Sequence, residues 1–181
     1  MAATSRLTLD QFSQLEETEP ASEYACGEVV QKPMPNRFHA AIQFYLAAIL
    51  FQFLAQARIG RAYTELRCIF GPSGQERIYV PDLCFVVNGR VPTELFLHTA
   101  PDLAVEILSP DQDAGRFLAK VQFFLQHGVR LMWVIDPDRK TVTALVPGAD
   151  ASVLTPTDTL DGGDVLPGFS VSVQEIFAQA A

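Results

Sequence analysis

Two acidic side chains sit in stretches that otherwise read as buried strand. In "LAVEILSP", residues 103–110, Glu106 stands among apolar residues. In "ERIYVPDLCFVV", residues 76–87, Asp82 interrupts a face that Ile78, Val80, Cys84 and Val86 share at the two-residue strand period. A carboxylate removed from water is costly unless it is paired, protonated or metal-bound. Two carboxylates on consecutive strands can come within reach of each other, and they repel unless a cation lies between them. Hard divalent cations suit such a pair, because Mg²⁺ takes oxygen ligands from one or two carboxylates and fills the rest with water and substrate phosphate.

A positive partner follows on the next helix. Lys120 lies at the edge of that helix's apolar stripe, near Phe124 and Asp113. Such a lysine commonly snorkels to the surface. This helix, however, starts from the end of the strand that carries Glu106, so its edge lysine can lean over that strand. Spacing alone leaves a second reading open, in which Asp82 starts a turn after Pro81 and Glu106 pairs with a lysine or arginine from a helix. Of the neighbouring candidates, His39 reads as a packed or surface histidine at a helix start, or as a site residue. Asp113 either caps the second long helix or orients Lys120. Glu65 and Asp136 read as structural, and Ser109 as a loop cap. No serine–histidine–acid arrangement emerges.

The elements that position these residues can be traced along the chain. Residues 9–17 suit a short amphipathic helix. "EYACGEVVQKPMP" suits a short strand pair around Gly27, ended by Pro33 and Pro35. Asn36 can cap the long helix that follows. In that helix Ile42, Tyr45, Leu46, Ile49, Leu50 and Phe53 recur at helical spacing, opposite an Ala-rich face that suggests cover on both sides. Strands are expected over 61–71, over 76–87 with a break at Pro81-Asp82, over 101–109 and over 130–137. A helix is expected over 112–127, with Phe117, Leu118, Val121, Phe124 and Leu125 as its stripe and Gly128 past its end. A hairpin of "TVTALVP" and "ASVLTPT" and a closing short strand and helix complete the order. The expected class is α/β, an α+β mixed sheet flanked by helices with a C-terminal β-hairpin. Residues 1–181 are read as one domain, with 1–18 as an N-terminal extension.

Composition narrows the function. The chain has 181 residues, 49% of them hydrophobic and 19% charged, and a formal net charge of -8. That balance argues against coating nucleic acid through bulk charge, but it leaves room for a local basic cleft or for metals that screen a phosphate. The three cysteines, Cys26, Cys68 and Cys84, show no Cys-x-x-Cys spacing. This speaks against a disulfide framework and a cysteine-rich zinc site. Reduced thiols and an N-terminus with no apolar run of signal-peptide length lead to the expectation of a cytoplasmic protein. Residues 40–57 just reach the length of a membrane span, yet carry Gln43, Gln52 and Gln56 and read better as a buried helix.

The run "VPDLCFVV…APDLAVEILSPDQDAGRFLAKVQFFLQHGVRLMWVIDP" resembles the Uma-two family of restriction-endonuclease-like proteins, a branch of the PD-(D/E)XK nuclease superfamily. The opening "GEVVQKPMPNRFHAAI" and the ending "LPGFSVSVQEIF" extend the resemblance over about residues 20–178. The resemblance implies a restriction-endonuclease-like core. It also implies that Asp82 is the aspartate of the "PD" element and Glu106 the second acidic residue. The usual in-strand lysine would fall at Leu108; Lys120 matches the family's relocated helix lysine, and Glu28 an N-terminal glutamate that completes the acidic cluster. Phe124 departs from a tyrosine common at that place.

The expected activity is hydrolysis of DNA phosphodiester bonds with Mg²⁺, or Mn²⁺ as a substitute. Asp82, Glu106 and a backbone carbonyl near Ile107 would hold the metal, and Lys120 would act on the water or phosphate. A homodimer is expected, since duplex cleavage needs two cuts and the Phe-rich first long helix has apolar residues to spare. A competing reading is a non-catalytic binding or assembly module with a vestigial site. An enzyme acting on something other than DNA is a third.

Overall fold

The computed structural model describes residues 6–110 and 112–178. Residues 1–5 of the expected N-terminal extension lie outside the described residues. In chain order the elements begin α1 (Leu9–Ser13), β1 (Ser22–Ala25), β2 (Glu28–Gln31) and α2 (Arg37–Ala57). Four strands follow: β3 (Gly60–Thr64), β4 (Cys68–Phe70), β5 (Arg77–Tyr79) and β6 (Leu83–Val87). The centre of the fold is β7 (Leu103–Ile107), α3 (Ala114–Gln126) and β8 (Leu131–Asp136). It closes with β9 (Thr141–Leu145), β10 (Ser152–Leu154), β11 (Thr159–Asp161), β12 (Ser170–Ser172) and α4 (Val173–Ala178).

The fold is mixed α/β. Its central six-stranded sheet has the order β10-β9-β8-β7-β6-β3, with β7 and β8 parallel and the other pairs antiparallel. The parallel step is the β7–α3–β8 crossover, the long connection that parallel neighbours require. A smaller sheet, β2-β1-β5-β4, lies beside it. The β9–β10 hairpin forms one edge of the central sheet, and β11 and β12 make a separate two-stranded pair. No strand was expected at β11.

Two of the expected strands are each split between the two sheets. Residues 61–71 divide into β3 in the large sheet and β4 in the small one, because Glu65 takes a left-handed backbone (φ 52°) that turns the chain out of the ladder. Residues 76–87 divide into β5 in the small sheet and β6 in the large one. Pro81 has no N–H to continue a ladder, and the chain changes sheets there. The β1–β2 turn has positive φ at both Cys26 (53°) and Gly27 (87°), the signature of a tight mirror-image hairpin turn.

Alternation along the central strands sorts the core into two sides. Leu83, Phe85, Leu103, Val105, Ile107, Trp133 and Ile135 face α2 and α4. Val86, Ala104 and Met132 face the other way, toward α3 and the small sheet. There Phe70, Tyr79, Phe123 and Phe124 form an aromatic cluster, with Phe70 and Phe124 stacked at 5.4 Å. α1 packs Phe12 against Tyr24, whose hydroxyl donates to the Leu7 carbonyl, so residues 7–13 are tied to the small sheet.

Asn36 caps α2 as expected, its side chain accepting from the amides of Phe38 and His39. Ile42, Leu46 and Leu50 of the expected stripe are fully buried, but the opposite face is not covered within the chain. Phe44 and Phe51 are 78% and 75% exposed. By length and composition this helix could span a membrane, but its inner face is committed to the protein core. On α3 the stripe is rotated from expectation. Leu118 is exposed, while Phe123 and Lys120 are buried with Val121 and Phe124.

The one-sided burial of α2 sets the expected cost of substitutions. Leu46→Ala should lose about 2–5 kcal/mol in urea denaturation, whereas Phe44→Ala in dilute protein should stay within about 0.5 kcal/mol of the parent.

Candidate active site

The two sheets meet where β5 hands over to β6, and the acidic residues converge at that seam. β6 pairs with β7 through Leu83↔Val105 and Cys84↔Ala104, so one further step of the same register sets Asp82 against Glu106. Ile107 donates its amide to Asp82 Oδ2 at 2.7 Å, closing the gap beyond the last paired rung. Glu106 points to the α3 side of the sheet, and α3 delivers Lys120 there, its Nζ 2.7 Å from Glu106 Oε1. The contact is close, with the ammonium aligned on Glu23 rather than on that oxygen. The same Nζ donates to Glu23 Oε1 of β1 at 2.6 Å. The three residues singled out by type and spacing, Asp82, Glu106 and Lys120, are buried together.

Glu28 is not brought to them. It is exposed at the mouth of the cleft, with Oε2 3.4 Å from Arg116. Glu23, five residues earlier on the same hairpin, supplies the acid that meets Lys120 and also accepts the Val80 amide at 2.9 Å. The strand period carries the signal for Glu23. It alternates with buried Ser22 and Tyr24, so it faces away from them toward the larger sheet.

Lys32, His39, Gln43 and Glu65 complete the cluster. Lys32 follows β2 directly and donates to Asp82 Oδ1 (2.7 Å), Glu65 Oε2 (2.8 Å) and the Val80 carbonyl (2.9 Å). His39, in the first turn of α2, places Nε2 3.2 Å from Asp82 Oδ2, and its Nδ1 is buried without a partner. One turn on, Gln43 donates to the Asp82 carbonyl (2.8 Å) and to Glu65 Oε1 (3.0 Å). Glu65, read from sequence as structural, therefore reaches the cluster through its left-handed backbone, a conformation that costs about 1–3 kcal/mol and tends to persist at functional positions. Asp113 caps α3 by accepting from the Arg116 amide at 2.7 Å. Asp136 binds the amides of Asp138 and Arg139 in the β8–β9 turn. Phe124, at the place of the common tyrosine, is fully buried, and Tyr79 of β5 brings a phenol ring 5.5 Å from Lys120 Nζ.

Burial and charge oppose each other across this cluster. Burial pushes the Asp82 carboxyl up, but the His39 contact and the Lys32 ammonium overcome it and hold it well below the usual carboxylate range. Burial lifts the Glu106 carboxyl up to about 8, with Lys120 pulling it down and the Asp82 charge adding to the rise. Burial pulls Lys120 down, but Glu106 and Glu23 hold it well above the usual lysine range. Lys32 is likewise raised, its desolvation outweighed by Asp82 and Glu106 together with Glu65.

The cluster forms the floor of an open cleft of about 890 Å³. Seven carboxylates line the cleft against four lysine or arginine side chains, so a phosphodiester entering it meets an excess of negative charge. Among the described residues, no three His, Cys, Asp or Glu side chains gather closely enough to hold a metal by themselves. The potential ligands are nevertheless mostly oxygens, and four carboxyl groups (Glu23, Glu65, Asp82 and Glu106) face two ammonium groups and the His39 imidazole. That donor chemistry and charge deficit fit a hard divalent cation that shares its shell with water and phosphate.

The raised Glu106 pKa gives stability a pH dependence of known sign. Between about pH 4.5 and 8 the folded protein holds a proton on Glu106 that the unfolded chain has released, so stability falls as pH rises. With a chelator present, Glu106→Gln should remove this contribution, whose slope approaches about 1.4 kcal/mol per pH unit. The check is the difference between wild-type and variant urea denaturation curves across that range.

Comparison with known proteins identifies the family. No curated protein matches the chain. A crystal structure from Anabaena variabilis, described as that of "a putative nuclease belonging to DUF820", superposes with a TM-score of 0.89 at 35% identity, covering 97% of this chain and 99% of that one. The family model described as "Putative restriction endonuclease" matches residues 9–174. A family-model match over nearly the whole chain, joined by a solved structure 35% identical over 97% of it, means that the protein belongs to the Uma2 family of restriction-endonuclease-like proteins.

Proposed function

We propose that the protein is a metal-dependent endonuclease that hydrolyses DNA phosphodiester bonds. The observation that carries this reading is the meeting of Asp82, Glu106 and Lys120 on the floor of one open cleft. Asp82 and Glu106 would hold Mg²⁺, or Mn²⁺ in its place, with the backbone carbonyl of Ile107 as a further oxygen ligand. When bound, the metal would polarise the scissile phosphate and make a bound water more acidic.

The chain's own residues do the rest. The Ile107 amide fixes one Asp82 oxygen, so the carboxylate keeps its direction. Glu23 and Glu106 keep Lys120 charged and aimed, and an ammonium at that point can orient the water or stabilise charge growing on the phosphate. Glu28 and Arg116, paired at the cleft mouth, stand where an incoming backbone would first arrive. The acidic lining restricts productive binding to nucleic acid that comes with a divalent ion.

One observation favours the non-catalytic module instead. The cluster's acids are already paired with Lys32 and Lys120, as in a structural ion-pair network. Cleavage of plasmid and oligonucleotide DNA with Mg²⁺ or Mn²⁺ separates the two readings. Wild type should cut, and Asp82→Ala should abolish cutting through loss of metal. Lys120 is buried between two acids, so Lys120→Met, which keeps the stem, is the better variant than alanine. It should stay folded by circular dichroism and lose about 10²–10⁴-fold in cleavage rate while retaining metal. A wild type that neither binds a divalent ion nor cuts would leave the module reading.

Assembly and location belong to the same proposal. Phe44 and Phe51 alternate with Ala48 and Ala55 along the uncovered face of α2, a pattern in which large residues of one copy can seat on small residues of another across a two-fold axis. A homodimer would place two clefts on one duplex. Cys26 is an exposed free thiol, which suits a reducing cytoplasm. Light scattering at micromolar concentration should give twice the chain mass, and Phe44→Asp with Phe51→Asp should return it to one.

A further inference from the structure

Lys32 stands out within the cluster. It was not among the residues that type and spacing singled out, yet it makes three short contacts, to Asp82 Oδ1 (2.7 Å), Glu65 Oε2 (2.8 Å) and the Val80 carbonyl (2.9 Å). All three partners are oxygens, two carboxylate and one carbonyl, which is the donor set a hard divalent ion takes. We propose that the Lys32 ammonium is a tethered placeholder for the divalent ion, which must displace it from Asp82 in order to bind. This rests on the metal-dependent reading above and deepens it by naming what the metal competes with.

The argument turns on Asp82. Its Oδ2 is taken by the Ile107 amide at 2.7 Å and by His39 Nε2 at 3.2 Å, so Oδ1 is the oxygen left to face an incoming ion. Lys32 covers that oxygen. A magnesium ion binds oxygen at about 2.1 Å, while the ammonium sits 2.7 Å from the same atom. The two would be like charges in contact inside a site where Asp82 is only 2% exposed and the repulsion is poorly screened. One of them has to leave.

Lys32 is built to leave. It lies directly after β2, at the head of the irregular segment 32–36, and its side chain lines the open cleft. Four methylenes allow the amine to swing off Asp82 without moving the hairpin, whose position is fixed by the Lys32 amide bound to the Ala21 carbonyl at 2.9 Å. Lys120 has no such freedom, since it is held between Glu23 and Glu106 from the middle of a packed helix. Of the two lysines, Lys32 is therefore the exchangeable one and Lys120 the fixed one.

The test uses the full chain stripped with chelator and titrated with Mn²⁺ by calorimetry, without nucleic acid. Lys32→Met and Lys32→Gln remove the competing charge while keeping the stem, and each should bind Mn²⁺ at least about ten-fold more tightly than wild type, equivalent to about 1.4 kcal/mol. Unchanged or weaker binding by folded variants overturns the proposal, as does an absence of Mn²⁺ binding in all three proteins. A second measurement needs no variant. In wild type, the nitrogen-15 signal of the Lys32 ammonium, protected by its three acceptors, should disappear into fast solvent exchange as Mg²⁺ saturates the site. Its persistence at saturation would equally sink the idea. DNA cleavage is scored separately. Tighter metal binding without cleavage would uphold the placeholder and count against the nuclease, while cleavage with unchanged metal affinity would do the reverse.

Discussion

The carboxyl groups gathered at the seam of two sheets can be held there only with positive charge close by, and the rest of the molecule is arranged around that requirement. Lys120 and Lys32 supply it from opposite sides. Lys120 arrives on α3 from one face of the central sheet, and Lys32 arrives from the end of the small sheet's hairpin. The ion pairs link β1, the β5–β6 handover, β7 and α3, four segments far apart in the chain. Burying such charges in pairs is nearly neutral for stability, whereas leaving one unpaired costs about 3–5 kcal/mol. The cluster therefore favours correct assembly more than it raises overall stability: a misdocked small sheet would strand at least one buried charge.

The central part of this arrangement was readable in the sequence because it obeys simple periods. A two-residue alternation interrupted by an acid marked Asp82 and Glu106, and a proline marked the place where the strand breaks. Asn36 announced a cap and Gly27 a turn, while Asp113 stood open between capping α3 and orienting Lys120 and is the cap. The reading failed where long-range pairing decides. Nothing local to residues 61–71 says that the stretch serves two sheets, and Pro81 marks a break in 76–87 without saying that its halves join different sheets, since a split strand keeps its alternation on both sides of the split. Glu23 and Lys32 escaped notice for the same reason. On an isolated hairpin they are ordinary polar residues, and only the docking of that hairpin against β6 and β7 gives them buried partners. Lys120 was placed at the edge of a helical stripe that, in the fold, is turned enough to bury it and to expose Leu118. Tertiary packing of the aromatic cluster on Phe123 fixed that rotation.

An acidic chain with a net charge of -8 in a family whose model is described as "Putative restriction endonuclease" presents an electrostatic tension. The cleft does not relieve it with a basic surface. Positive charge is instead concentrated at a few fixed points, two ammonium groups on the floor and Arg77 and Arg116 on the walls. Long-range attraction for a polyanion is weak under such a distribution, and contacts at short range would have to carry any binding. Salt should then influence this protein's association with a polyanion less than it does for a protein with a basic face.

The main-chain bonds to the acids have a bearing on descent. Asp82 is oriented by the Ile107 amide and Glu23 by the Val80 amide, while the Asp82 carbonyl is held by Gln43. Every residue but proline carries a backbone amide, so substitutions other than proline at positions 80 and 107 leave these anchors in place as long as strand alignment is kept. An insertion or deletion of one residue in β6 or β7 would move the anchors even if each acid were retained. The geometry around the acids thus depends on the spacing of these strands more than on the identity of the residues between them, and a chain that keeps the lengths of β6 and β7 keeps the alignment of the pocket even where the side chains at positions 80 and 107 change.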